Sequence, residues 1–221
     1  MEKKVVLKDM EPKDRLSYIW EYYKWYIIVA VFVVIFGIYL IVSYTTRKEE
    51  VAHVLMVNTN IEAVSDDDAH LFDQLLSDNG YNTAKQEVAV NDGLRVDPKG
   101  VGQNNYYSYS SVLTILEAGG ADVYLSDKET FDLIAGTGNL QDLSEVLPED
   151  IMQEYQDKLV YTTDGETNES YPCGIEITGN KWAKETGLYT GDCVIGAAYG
   201  DNTDGLTKKL ISYILGENEI H

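Results

Sequence analysis

Hydrophobic residues occur in one long block near the N-terminus and in short runs after it. Residues 25–46 form 22 consecutive positions without a charge, with Lys24 before them and Arg47 after them. A helix needs about 20 apolar residues to cross the hydrocarbon core of a bilayer. The pattern predicts three segments: a stub at 1–24, a transmembrane helix at 25–46 and a folded domain at 47–221.

The charges that flank the apolar block predict its orientation. Six basic residues precede it, whereas only Arg47 and Lys48 follow it directly. Positive residues near a span tend to remain in the cytoplasm, and tyrosine and tryptophan concentrate at both membrane surfaces, as they do here. We therefore expect a single-pass protein of the cell membrane, with a cytoplasmic N-terminus and an extracytoplasmic domain. A cleaved signal peptide is the alternative, but the block exceeds the usual 7–15 apolar residues of such a signal.

After the block, runs typical of strands alternate with runs typical of helices, which predicts an α/β layered domain. The predicted strands are 51–57, 86–90, 121–125 and 193–199, with a hairpin formed by 159–163 and 171–175. The predicted helices are a segment from Ser65 to about Gly80, then about 106–118, 128–135, 146–155 and about 204–215.

Capping and turn residues set the expected ends of these elements. Ser65 and the acidic run 66–68 are typical of a helix N-terminus, where the dipole favours negative charge, and their spacing lacks the pattern of a calcium loop. Ser126-Asp127 and Asn202-Thr203 are likewise expected to cap helices. Residues 91–93, Asn-Asp-Gly, predict a turn after the second strand.

Two cysteines, Cys173 and Cys193, lie 20 positions apart in or beside adjacent predicted strands. Disulfides persist outside the cytoplasm, and closing a loop of that size stabilises a fold by about 3 kcal/mol in the chain-entropy model. We expect a Cys173–Cys193 disulfide, with two unpaired buried thiols as the alternative.

The composition of the domain disfavours several classes of function. Residues 49–221 carry 9 basic and 32 acidic residues, a net charge of −23, which argues against nucleic-acid binding. The three histidines are scattered, without zinc-site spacing, and neither a Gly-x-Ser-x-Gly elbow nor a phosphate-binding loop is present. We therefore expect no metal, no cofactor and no enzymatic activity, although a pair of carboxylates acting on a glycan is a distant alternative.

The polar residues that follow predicted strands are the candidate ligand contacts. In α/β sheets, ligands bind at the carboxyl ends of the strands. Those positions here include Asn60, Asp92, Ser126 and Asp127. Tyr106 and Tyr107 add a polar-aromatic pair, which either stacks on a sugar or forms the first turn of a helix that covers the sheet.

Several segments resemble a known family. The run Gly-Gly-Ala-Asp-Val-Tyr-Leu at 119–125 resembles the step from helix to strand in extracytoplasmic solute-binding proteins of bacterial ABC transporters. The run Gly-Asn-Leu-Gln-Asp-Leu at 138–143 is similar to a Gly-x-Leu-x-Asp-Leu segment that follows it there. Asp164-Gly165 before 171–175 resembles a further turn and strand. The resemblance covers roughly residues 51–215.

The resemblance implies a periplasmic-binding-protein-like α/β layered domain that is truncated in its second lobe, because such proteins have about twice this outer length. It also implies a non-catalytic binding protein for a small solute such as a sugar. The family usually has a lipid-bearing cysteine where this chain has its apolar block. The alternative is a structural or accessory subunit of a cell-envelope or transporter complex that has lost solute binding.

Overall fold

The structure is a computed structural model that describes residues 12–45, 47–63, 70–200 and 205–217. The chain divides into two compact units, one ending at Arg47 and the other beginning at Lys48. The predicted features at Ser65, 66–68 and Asn202-Thr203 lie outside the described residues.

The first unit contains one long helix, α1, at Pro12–Thr45. Proline suits the first turn of a helix because its missing N–H has no intrahelical partner there. The 23 residues Trp20–Val42 are long and apolar enough to cross a membrane, and Phe32 and Ile41 are 69% and 66% exposed. The predicted apolar helix is therefore present, and it continues N-terminally into the predicted stub.

The second unit is built on one mixed sheet of six strands with the order β2-β1-β3-β6-β5-β4. β1, β2 and β3 are parallel, whereas β4, β5 and β6 pair in antiparallel fashion, and β6 is antiparallel to β3. The strands are β1 (Glu49–Val57), β2 (Gln86–Leu94), β3 (Val123–Ser126), β4 (Leu159–Thr163), β5 (Ser170–Glu176) and β6 (Val194–Ala197).

Helices cover both faces of this sheet. They are α2 (Asp73–Asp78), α3 (Gln103–Glu117), α4 (Lys128–Ala135), α5 (Leu143–Val146), α6 (Glu149–Glu154), α7 (Lys181–Thr186) and α8 (Leu206–Leu215). One core, the α8 face, packs α2, α5, α6, α7 and α8 against the sheet. The other core, the α3 face, contains α3 and α4. Successive side chains of β1 point to opposite faces of the sheet, so β1 contributes to both cores: Val54 belongs to the first and Leu55 to the second.

The structure corrects several predicted boundaries and adds two helices, α5 and α7. β2 continues to Leu94, so the predicted turn at 91–93 is part of the strand. α3 begins at Gln103 instead of near Tyr106. α7 was not predicted; Asn180 caps it by accepting a hydrogen bond from the Ala183 N–H.

The predicted disulfide is wrong, because Cys173 and Cys193 are both free and buried. The Ile177 N–H donates to the carbonyl of Cys193, so Cys193 lies beside a residue four positions beyond Cys173. Four strand residues span about 13 Å, whereas a disulfide needs Cα atoms within about 7 Å. The two thiols also lie on opposite faces of the sheet, Cys173 in the α3 face and Cys193 in the α8 face.

The ring of Phe131 in α4 packs against two strand glycines, Gly174 in β5 and Gly196 in β6. This contact gives the first testable prediction. A Cβ atom added at Gly174 would lie 2.5 Å from Cζ of Phe131 and 2.9 Å from Cγ1 of Val194. We expect Gly174→Ala to lower the free energy of unfolding by about 1–3 kcal/mol through overpacking, measured by denaturant unfolding. Gly165→Ala is the control, because no atom lies within 4 Å of its added Cβ. Equal stability of the two variants would contradict this packing.

The thiols give the second prediction. Burial raises the pKa of Cys173 to about 12 and also raises that of Cys193. Because the thiolate is the reactive form, neither thiol should alkylate in the folded chain at pH 8. Both should alkylate after unfolding without any reductant, as read by mass spectrometry. If alkylation of the unfolded chain required a reductant, the two cysteines would be joined by a disulfide after all.

Candidate functional site

The carboxyl ends of β1, β2 and β3 meet at one edge of the sheet because these three strands are parallel. We call this region the carboxyl edge and define it by Asn58–Asn60, Asp92–Arg95 and Ser126–Asp127. It therefore contains all four strand-end residues that the sequence nominated as ligand contacts. The sequence did not nominate Asn58 or Arg95.

Asn58 is the hub of the carboxyl edge. Its side-chain nitrogen lies 2.6 Å from the Val96 carbonyl, 2.6 Å from Oδ2 of Asp127 and 2.9 Å from Oγ1 of Thr130. Its side-chain oxygen accepts a hydrogen bond from the Val96 N–H at 2.8 Å. The backbone is left-handed, with φ of 61°, a conformation that asparagine tolerates better than most residues. One amide thus connects β1, the segment after β2, and α4.

A buried tyrosine closes the same edge from the α8 face. The hydroxyl of Tyr189 donates to the carbonyl of Val57 at 2.9 Å or to that of Leu125 at 3.1 Å. Burial raises the pKa of this hydroxyl well above its ordinary value, so it remains a protonated donor. The ends of β1 and β3 are therefore fixed on both faces of the sheet.

The four nominated strand-end residues make internal contacts that maintain the fold. Ser126 is buried and donates to the carbonyl of Asp127, and the Asp127 carboxylate caps α4 through the Thr130 N–H. The Asn60 side chain accepts from the Glu62 N–H. The Asp92 carbonyl accepts from the Thr59 hydroxyl at 3.1 Å and from Arg95 Nη1 at 2.6 Å. The parallel strands bring these residues to one edge, where each makes hydrogen bonds within the domain.

Beside them lies an open cleft of about 410 Å³, which we call the amide cleft after its asparagine residues. It is lined by Asn58, Arg95, Val96, Asp97, Asn104, Asn105 and Ser108. Arg95 is the single arginine beyond residue 47. Both of its hydrogen bonds use Nη1, so among the described residues Nη2 and Nε remain available to an acceptor in the cleft.

A second opening of about 450 Å³, the tyrosine groove, adjoins the amide cleft. It is lined by Val96, Asp97, Pro98, Gly100, Val101, Gly102, Asn105, Tyr106, Tyr109 and Leu133. Tyr106 is 66% exposed and contributes a ring face to the groove. Tyr107 is 56% exposed but lies outside this lining, and its hydroxyl accepts from Gln103 Nε2. Of the two nominated tyrosines, Tyr106 lines this groove and Tyr107 does not.

Asn105 holds the loop that separates the two openings. Its side-chain oxygen accepts from the Asp97 N–H, and its nitrogen lies 2.8 Å from the carbonyls of Asp97 and Gly100. A Cβ added at Gly100 would meet Asp97 at 2.9 Å and Asn105 at 3.0 Å, so the close approach requires glycine. The two openings therefore share a fixed loop in their linings.

The two openings offer complementary chemistry. The tyrosine groove presents aromatic and aliphatic surface, and the amide cleft presents amides, a hydroxyl and a guanidinium. Ligand sites of this type combine apolar lining with a few polar groups that set orientation. In the part of the chain that the structure describes, no group of three or more His, Cys, Asp or Glu side chains is placed to hold a metal ion.

No family model, no curated protein and no solved structure matches this chain.

The hub residue gives the third prediction. Asn58→Ala removes every side-chain bond at the junction and leaves the Val96 N–H and the Asp127 carboxylate without these partners. Because each unsatisfied buried polar group costs about 1–3 kcal/mol, we expect a loss of about 3 kcal/mol in the free energy of unfolding. Asn168→Ala is a matched control, because Asn168 is exposed and has φ of 58°. A similar loss in both variants would assign the effect to backbone strain.

Proposed function

We propose that this chain is a membrane-anchored binding protein without catalytic activity, whose extracytoplasmic domain binds a small solute with a ring-shaped apolar face and polar substituents, such as a sugar. In this proposal α1 is an uncleaved single-pass anchor with its N-terminus in the cytoplasm, as the flanking charges favour. The domain belongs, in this proposal, with shortened solute-binding-protein-like folds.

One observation carries the proposal: the tyrosine groove and the amide cleft share a wall at the carboxyl ends of parallel strands. This is the edge at which α/β sheets bind ligands. The ring of Tyr106 offers a stacking surface for the apolar face of a sugar. Arg95 and Asn104 line the adjoining cleft, where their side-chain donors can meet hydroxyl or carbonyl oxygens.

A second candidate function is that of an accessory subunit that docks on a membrane transporter or an envelope partner. The observation that favours it is the openness of both sites. The described strands of the second unit form one sheet, and the openings lie on its surface. A two-lobed receptor would enclose its ligand more fully, and tight small-molecule sites bury most of the ligand surface.

The fourth prediction separates these functions. The full chain in nonionic detergent is screened by thermal shift against neutral monosaccharides and disaccharides, amino sugars, amino acids and dipeptides. If the chain binds a small solute, at least one of these compounds should raise its Tm. Tyr106→Ala should then lower the affinity for that compound at least tenfold, measured by titration calorimetry, because it removes the stacking surface.

Tyr161→Ala is the control, since it removes an exposed ring outside the groove, whereas the ring of Tyr107 packs edge-on against that of Tyr106. Its affinity should stay within twofold of the parent chain. Equal losses in both variants would contradict a site in the tyrosine groove. The absence of any Tm shift, together with copurification of a stable membrane partner, would favour the accessory subunit.

A further inference from the structure

A third opening lies on the α3 face, between the edge strand β2 and the C-terminal end of α3. Its volume is about 410 Å³, and we call it the β2–α3 groove. Leu55, Ala89, Ile115 and Ala118 give it an apolar lining, and His53 and Asn91 add polar groups. These residues are separate from those of the tyrosine groove and the amide cleft.

Small side chains create this space. Along β2, Val88 and Val90 pack into the α8 face, so Ala89 and Asn91 point to the α3 face. Ala89 faces Ala118 and Gly120 at the end of α3, and none of the three is large enough to fill the gap. α3 itself buries only Val112 and Leu116. The space above β2 therefore remains open to a side chain from outside.

The strand beside the groove is an open edge. Among the described strands, β2 pairs with β1 alone. It has nine residues and contains neither lysine nor proline, the residues that commonly protect sheet edges. The opposite edge strand, β4, has only five residues, whereas both edge pairings contain register shifts. The main-chain groups of β2 are therefore the better template for an added strand.

Charge indicates the kind of partner. The domain carries a net charge of −23 over 49–221. Glu50 lies 2.9 Å from Nε2 of the groove residue His53, Glu87 belongs to β2, and Glu117 directly precedes the groove residue Ala118. Lys48 offsets one of them, at 3.7 Å from Glu87. A second copy of the chain would bring the same negative charge and be repelled, whereas a cationic partner would be attracted.

We propose that β2 and the β2–α3 groove bind an extended, lysine- or arginine-rich segment of a partner protein. The segment adds to the sheet as a seventh strand beside β2. Its main chain supplies the hydrogen bonds, and alternate apolar side chains enter the groove over Ala89. This activity goes beyond solute binding and does not depend on it.

The test uses the full chain in nonionic detergent and fluorescence anisotropy. The probe is a labelled nine-residue peptide that alternates lysine and valine. We expect it to bind, and we expect at least tenfold weaker binding when its valines are N-methylated, because N-methylation removes backbone donors. A peptide of the same composition with all lysines in one block should also bind at least tenfold more weakly. Equal affinity for the three peptides would show that binding comes from bulk charge attraction alone and would overturn the proposal. The absence of any binding would also overturn it.

Variants locate the site. Ala118→Phe fills the groove from an exposed position and should weaken the alternating peptide at least tenfold, whereas Ala84→Phe, at an exposed alanine outside the groove, should stay within twofold. An unchanged affinity of Ala118→Phe would overturn the proposal. If the parent chain dimerises and Ala118→Phe abolishes the dimer, a second copy of the chain occupies the groove, and the proposal is overturned. Tyr106→Ala should bind the peptide like the parent chain, so failure of the solute site and failure of this site are distinguishable.

Discussion

The second unit depends on the side-chain amide of Asn58. Three strands and one helix converge at the carboxyl edge, and each leaves polar groups that the sheet ladder does not satisfy. The Asn58 side chain donates to the Val96 carbonyl and accepts from the Val96 N–H. It also lies within hydrogen-bond distance of the Asp127 carboxylate, which caps α4. Because buried polar groups must be paired, this single residue fixes how the β2–α3 connection and α4 approach β1. Both openings of the candidate site follow from that junction.

Local chemistry was enough to predict elements whose ends are marked by their own residues. α4 has the predicted bounds because Asp127 caps it and Phe131 and Ile134 share a buried face. β2 was predicted too short because the Asn-Asp-Gly run at 91–93 is typical of a turn. Pairing with β1 overrides that preference: the carbonyl of Leu94 accepts from the Asn58 N–H, so the strand continues. α7 had readable signals in Asn180 and Gly187, the latter with φ of 66°, but its six residues show little periodicity.

The candidate site shows where sequence reasoning reaches its limit. The rule that ligands sit at strand carboxyl ends nominated four residues that the parallel strands bring to one edge of the sheet. It could not tell which polar groups are used up by the fold, because Ser126 and Asp127 are committed to a cap and a buried bond that only the packed structure reveals. Asn104, Asn105 and Ser108 line the amide cleft from the first turns of α3, which starts at Gln103, three residues before the predicted start. The disulfide prediction was wrong for a similar reason: the spacing of two cysteines in the sequence does not reveal toward which face of the sheet each side chain points.

The two unpaired cysteines have a consequence for how this domain reaches its native state. Each thiol is sealed in a different core by apolar neighbours, so no covalent crosslink contributes to the fold. Maturation therefore needs no oxidant and no disulfide isomerase, and it has no oxidative step to limit its rate. A transient Cys173–Cys193 bond in an unfolded chain would be incompatible with the native sheet and would have to be broken before the strands could pair. Once the sheet has formed, burial of both sulfurs keeps that bond from re-forming.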